Sequence, residues 1–272
     1  MYEFHGRMMS SIVPRLFGIY RAAGCEPLTG YSPYHFFNWR DAPFTRFLQG
    51  PDLIGIAGIA LQEIMFIEHF RQFISPRRIL IIGNAHGWST IALALIFPDA
   101  KTIAIDPDPV GVEFTNRLIA ANSLSAQAVV ASSPDDVARV VKEHLEGSVD
   151  FSLIDAIHNN DAIRADFDAV KSVSTDEACH LFHDVINWNL VDGFNRLLTK
   201  HKLQGKVFTR TASGMAFGYA RISPEFLAYL NCFADMPGVF HKLRVKIVEA
   251  IIDPIQAYPK YDYVTPPSNR RF

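Results

Sequence analysis

The stretch Ile79-Leu80-Ile81-Ile82-Gly83-Asn84-Ala85-His86-Gly87-Trp88-Ser89-Thr90 decides the fold of this chain. Four consecutive apolar residues read as a strand covered on both faces, which belongs to a parallel sheet between helices. A turn of small residues follows, and Ser89 and Thr90 stand where the amides of a new helix need partners. Gly83 and Gly87 let the backbone approach a ligand closely, and the helix N-terminus suits a nucleotide-like molecule. The turn is not the dinucleotide motif G-x-G-x-x-G, because Ala85 and Trp88 occupy its second and third glycine positions. An NAD-linked oxidoreductase is therefore disfavoured.

Working outward, short apolar runs at 79–82, 102–105, 128–131, 151–154 and 180–182 alternate with helical stretches at 89–95, 110–121, 134–145, 160–173 and 190–201. That alternation predicts a doubly wound α/β fold of Rossmann-like type. Two further strand-like runs, 205–209 and 215–220, are joined by Thr211, Ala212, Ser213 and Gly214 and predict a terminal antiparallel pair. The expectation is a mostly parallel seven-stranded sheet with a terminal antiparallel strand, and helical additions at both ends. Before it, apolar residues from Ile56 to Phe70 recur at helical spacing and predict a leading helix over 52–73. Residues 1–50, with Tyr31, Tyr34, Phe36, Phe37, Trp39, Phe44 and Phe47 among prolines and glycines, predict little regular structure. They suit a cover over the core or a pocket lining. After Arg221, Ser223-Pro224-Glu225 is a helix start, residues 239–252 form a basic amphipathic stretch, and 258–272 reads as poorly ordered tail.

Composition narrows the function. With 26 basic against 28 acidic residues in 272 there is no basic excess to hold a phosphate backbone, so a small-molecule partner is expected and nucleic acid is not. Three scattered cysteines suggest no disulfide framework and no thiolate metal site. The apolar run 53–67 is interrupted by Gln62 and Glu63 and is too short to span a bilayer, and the first residues lack a signal peptide's apolar stretch. A cytoplasmic protein without integral membrane association is expected, and the last helices suit packing on the domain or on a second subunit of a homodimer.

Three groups carry chemistry. Asp106 ends a strand about twenty residues after the turn, where a carboxylate can accept both hydroxyls of a ribose. Asp108 competes with it as a helix cap. Asp155 and Asp184 close strands at the sheet edge where open α/β folds bind ligands, accompanied by His158, His183 and Asp166. Such a cluster can hold a hard divalent cation, or set a histidine beside a carboxylate as a general base.

Over about half its length, roughly 78–220, the chain resembles the class I S-adenosylmethionine-dependent methyltransferases, and within them the group of macrocin and catechol O-methyltransferases. The resemblance rests on the glycine turn, on Asp106, and on I-D-A-x-H followed by F-H-D-V. It implies that Gly83, Asn84, Ala85, Gly87 and Ser89 hold the methionine end of the cofactor with Asp155 beside it, that Asp106 holds its ribose, and that Ser132 and Ser133 flank its adenine. It implies a cation, magnesium in the relatives, on Asp155, Asp184 and His183, and catalytic roles for His158, Asp155 and His183. The implied organisation is a cover and leading helix over 1–75, a cofactor domain over 76–222, and C-terminal helices over 223–272. The expected reaction is O-methylation of a sugar or aromatic hydroxyl. Three departures stand out: Ile81 replaces the usual acid before the first glycine, His158 replaces a lysine, and His183 replaces an oxygen donor. The loss of the acid at Ile81 keeps open a catalytically silent cofactor-binding protein as the alternative.

Overall fold

The structure, a computed structural model, describes residues 11–29 and 44–234. The aromatic cluster from Tyr31 to Trp39, the basic stretch 239–252 and the tail lie outside the described residues. Seven strands form one sheet: β4 (Arg78–Ile82), β5 (Lys101–Asp106), β6 (Ala126–Val130), β7 (Val149–Ile154), β8 (Ser174–Phe182), β9 (Gln204–Val207) and β10 (Ala216–Tyr219). Their order is β6-β5-β4-β7-β8-β10-β9, with β10 antiparallel to both neighbours and every other pair parallel. This is the expected doubly wound sheet. The antiparallel strand, last in sequence, lies one place in from the edge and β9 is outermost.

Side-chain alternation explains why the strands are apolar throughout. Ile79 and Ile81 of β4 point into one core, Leu80 and Ile82 into the other. The first core receives α3 (Trp88–Ile96), buried at every position, with α4 (Pro109–Ala121) and α8 (Pro224–Asn231). The second receives α5 (Val137–His144), α6 (Asn160–Ser172) and α7 (Val191–His201). Ser223 caps α8 by accepting from the Phe226 amide.

The N-terminal part departs from expectation. Residues 11–29 form a helix, α1 (Val13–Ala22), and a strand, β1 (Cys25–Thr29). Strand β1 joins β2 (Thr45–Gln49) and β3 (Asp52–Gly58) in a three-stranded antiparallel sheet. The leading helix is therefore shorter than its periodicity suggests. Helix α2 spans only Leu61–Glu68, followed by a 3₁₀ turn at His69–Gln72. Gly55, at φ +76°, sits in the left-handed region inside the stretch expected to be helical, and strand pairing with β2 takes residues 52–58. The start of α2 is fixed by Glu63, whose carboxylate accepts from the Ala60 amide at 3.1 Å. Strand β8 is longer than expected because its first half, Ser174 to Glu177, is polar and only its second half reads as apolar.

One buried histidine links fold to pH. His180 lies near the C-terminal end of β8, with Nδ1 2.9 Å from the Ser152 hydroxyl and Nε2 without a partner. Burial, aided by the charges of Lys171 and His201, pushes its pKa down to about 3. The native ring thus stays neutral where the unfolded ring, near 6.5, takes a proton. Its contribution is complete above about pH 6.5 and is lost as pH falls towards 3, amounting to about 2 kcal/mol at pH 5. Urea unfolding near pH 7 and near pH 5 should show a smaller acid loss in His180→Asn than in wild type, and an equal loss in both would assign the acid sensitivity elsewhere.

Candidate active site

The site grows from a backbone contact. The Gly83 amide donates to the Ile105 carbonyl at 2.9 Å and the Asp155 amide donates to the Ile82 carbonyl at 2.8 Å, so the ends of β5, β4 and β7 are laced side by side. Gly83 has φ +95°, and a Cβ there would lie 1.9 Å from the Asp155 carbonyl oxygen. Only glycine lets the two loops approach so closely.

Asp106 holds the turn from below. One of its oxygens accepts from the amides of Asn84 (2.9 Å) and Ala85 (2.8 Å), and the other from the Asp108 amide at 2.9 Å. Asp108, the competitor for its role, caps α4 instead, accepting from Val110 and Gly111. The Asn84 side chain turns inward, donating to the Ala85 carbonyl and the Thr115 hydroxyl and accepting from Thr90, so only the rest of that residue faces a ligand.

Above the turn lies a cavity of about 320 Å³, within the usual range for a small-molecule site. Its walls include Gly83, Asn84, Ala85, Ser89, Asp106, Ser132, Ser133 and Asp155. Gly87 does not line it, being the N-cap residue of α3 and packed on Thr115. The roof comes from Thr45, Phe47 and Gly58 of the N-terminal sheet. Phe47 stacks on Tyr20 at 4.5 Å, and the Tyr20 hydroxyl donates to the His86 carbonyl within the turn. Sequence reading named Phe47 only as part of a generally aromatic segment, since cross-chain pairing of β1, β2 and β3 leaves no local signature. The His86 ring packs against Phe47 and Phe114 with Nδ1 unpartnered, and burial lowers its pKa.

Beside the cavity, Asp155, His158, His183 and Asp184 bring one ligand atom each within 4.8 Å of one another. Asp155 Oδ1 meets His183 Nδ1 at 3.0 Å and His158 Nε2 at 3.3 Å. Asp184 Oδ2 lies 3.4 Å from His158 Nε2 and 3.5 Å from His183 Nδ1. The His158 ring is stacked on Trp188 at 5.2 Å, with an angle of 8° between planes. Behind the cluster stands Glu63, fully buried, which takes His183 Nε2 at 3.0 Å and the Ser213 amide at 2.8 Å. Glu63 is the functional residue that sequence reading passed over, although a lone acid inside an apolar helical run was a visible signal.

Electrostatics follow from this geometry. Burial alone would push His183 down, but the negative charges of Asp155, Asp184 and Glu63 outweigh it and raise its pKa well above the usual value. Asp155 shows the converse: burial opposes ionisation, yet His183 and His158 hold the carboxyl well below the ordinary range. Asp184 is raised by burial, with the two histidines opposing. The four donors fit a divalent cation in number and convergence. Glu63 occupies the place of the carboxylate that orients a ligating imidazole from behind. His183 Nδ1 could join such a set only by giving up its proton and its bond to Asp155.

Residues 80–185 match a family model described as a methyltransferase domain. The chain carries a methyltransferase domain. No curated protein matches it in sequence. Among solved structures it is similar to the cofactor-bound Rv0187 protein from MTB, at 20% identity and TM-score 0.50, over 61% of this chain and 83% of that one. It is equally similar to the O-methyltransferase TomG from Streptomyces achromogenes, involved in tomaymycin synthesis and solved with SAM, at 19% identity and TM-score 0.50, over 61% and 82%. These solved structures share its fold, and the matched segment contains the glycine turn, Asp106, Asp155, His158, His183 and Asp184.

The buried network should dominate the energetics of the region. Glu63→Ala would strand His183 and Ser213 in the interior and should cost about 3–5 kcal/mol of stability. Asp168→Ala, which removes the half-exposed partner of Lys200 and His201, should cost less than about 1 kcal/mol. Denaturant titration of both variants measures the contrast, and equal losses would mean that Glu63 is not the keystone of the cluster.

Proposed function

We propose that this methyltransferase acts on a hydroxyl group of a small molecule, a sugar or an aromatic compound. The observation that carries the proposal is the placing of His158 Nε2 against both Asp155 and Asp184 at the wall of the cavity. In the neutral ring, two carboxylate acceptors at that nitrogen place the N–H on Nε2, which leaves the lone pair on Nδ1. A histidine so oriented is suited to take the proton of an attacking hydroxyl. Stacking on Trp188 fixes the plane of the ring.

When bound, S-adenosylmethionine supplies an electrophilic methyl carbon on a sulfonium. The turn Gly83 to Ala85 and Ser89 would receive its methionine end, Asp106 its ribose, and Ser132 and Ser133 its adenine. Asp106 already serves three amides, so it reaches a ribose only with its remaining lone pairs, and its loss would loosen the turn as well. The roof of Thr45, Phe47 and Gly58 excludes water from the donor. A cation, if used, would be held by Asp155, Asp184 and His183 and would supply positive charge to the acceptor oxygen. The imidazole of His183 beside two carboxylates moves that preference from magnesium towards borderline ions such as manganese or zinc.

Methyl-labelled S-adenosylmethionine, incubated with the full chain and a panel of phenols and glycosides, should place label on an acceptor oxygen. With that acceptor, His158→Ala should lower turnover by about 10²–10⁴-fold while affinity for S-adenosylhomocysteine stays within about twofold. Label on nitrogen or carbon would contradict the reading. So would wild-type turnover in the variant.

A further inference from the structure

The loop that follows β8 supplies two contacts to His158, and it takes its shape from residues beyond the matched segment 80–185. Asp184 stands at φ +58°, in the left-handed region that residues other than glycine rarely adopt, and such a conformation persists only where neighbours impose it. The turn before β10 receives three amides of the loop. The Asp184 amide donates to the Ser213 hydroxyl at 3.3 Å, the Ile186 amide to the Gly214 carbonyl at 3.2 Å and the Asn187 amide to the Ser213 carbonyl at 3.2 Å. Ser213 is itself fixed by Glu63, which accepts from its amide and its hydroxyl. The Asn187 side chain completes the frame, Nδ2 donating to Asp184 Oδ1 at 3.1 Å. With Oδ1 so occupied, Oδ2 is the oxygen that meets His158 Nε2 at 3.4 Å. The Asp184 carbonyl accepts from the Trp188 amide at 3.1 Å, and the Trp188 ring is the one stacked on His158. One left-handed residue therefore governs a contact on the edge of the imidazole and the contact on its face.

We propose that Asn187 is a positioning residue for methyl transfer, acting through Asp184 on His158. Its side-chain amide holds the Asp184 carboxylate turned so that Oδ2 faces Nε2, and its backbone amide keeps the loop in register on Ser213. The terminal torsion of an aspartate is soft, so without the Nδ2 donor the carboxylate rotates and the His158 N–H loses one of its two acceptors. The inference rests on the reading of His158 as the base.

Nitrogen-15 NMR of the full chain labelled at histidine, recorded with the imidazoles neutral, reads the ring directly, and the signals lost in His158→Ala identify it. Wild type should carry the proton on Nε2 and show ring-proton shifts displaced by Trp188. Asn187→Ala should move the His158 nitrogens towards the averaged shifts of a ring exchanging between tautomers, and should lessen that displacement. With the acceptor identified from the panel of phenols and glycosides, its kcat should fall by about tenfold or more while affinity for S-adenosylhomocysteine stays within about twofold. A weaker fold alone lowers the melting temperature but leaves the tautomer of the folded protein unchanged. Asn187→Asp keeps the size and the backbone bonds, removes the donor, and should give the same losses if the alanine variant does not fold. His158 resonances or turnover equal to wild type's in either folded variant overturn this proposal and leave the reading of His158 standing. A wild-type ring with its proton on Nδ1 overturns that reading and this proposal with it.

Discussion

The close approach of Gly83 to the Asp155 carbonyl is the constraint on which the site depends. It presses the loop after β4 against the loop after β7 at the point where the sheet order turns back on itself. A crevice at that switch point is the usual ligand position in open α/β sheets. The same contact sets the floor of the cavity beside the acids and histidines, so donor and acceptor ends share one backbone reference. A side chain at position 83 would push the loops apart and separate the two halves.

Charge buried in a protein must be compensated, and here the compensation crosses the whole molecule. Glu63 from α2, His183 from the end of β8, Asp155 from the end of β7 and Ser213 from the turn before β10 form one hydrogen-bonded set. Breaking one member leaves the others desolvated and unpaired, so the set behaves as a unit. This explains why an N-terminal helix outside the repeated β-α pattern is part of the site. The exposed pairs, such as Arg139 with Asp136 and Glu143, are screened by water and contribute little.

The doubly wound sheet was legible because its strands are short, apolar on both faces and separated by helices of ordinary length. Asp106, Asp155 and Asp184 could be placed at strand ends for the same reason, and the structure brings Asp155, His158, His183 and Asp184 together. Two things were not legible. The three-stranded N-terminal sheet is held by pairing across distant segments, and the spacing of Ile56, Ile59 and Ile64 mimics a helix although the start of that stretch, Asp52–Gly58, is strand. The inward turn of Asn84, the displacement of Gly87 from the cavity wall, and the bond from Glu63 to His183 are tertiary facts with no local signal.

A crystal structure of the full chain grown with S-adenosylhomocysteine tests the central claim most directly. The account predicts density in the cavity between the glycine turn and the roof of Phe47, with the ribose at Asp106 and the sulfur directed towards His158 and Asp155. A well-ordered ligand elsewhere on the molecule, or in this cavity with its sulfur directed away from the acid and histidine cluster, would contradict it.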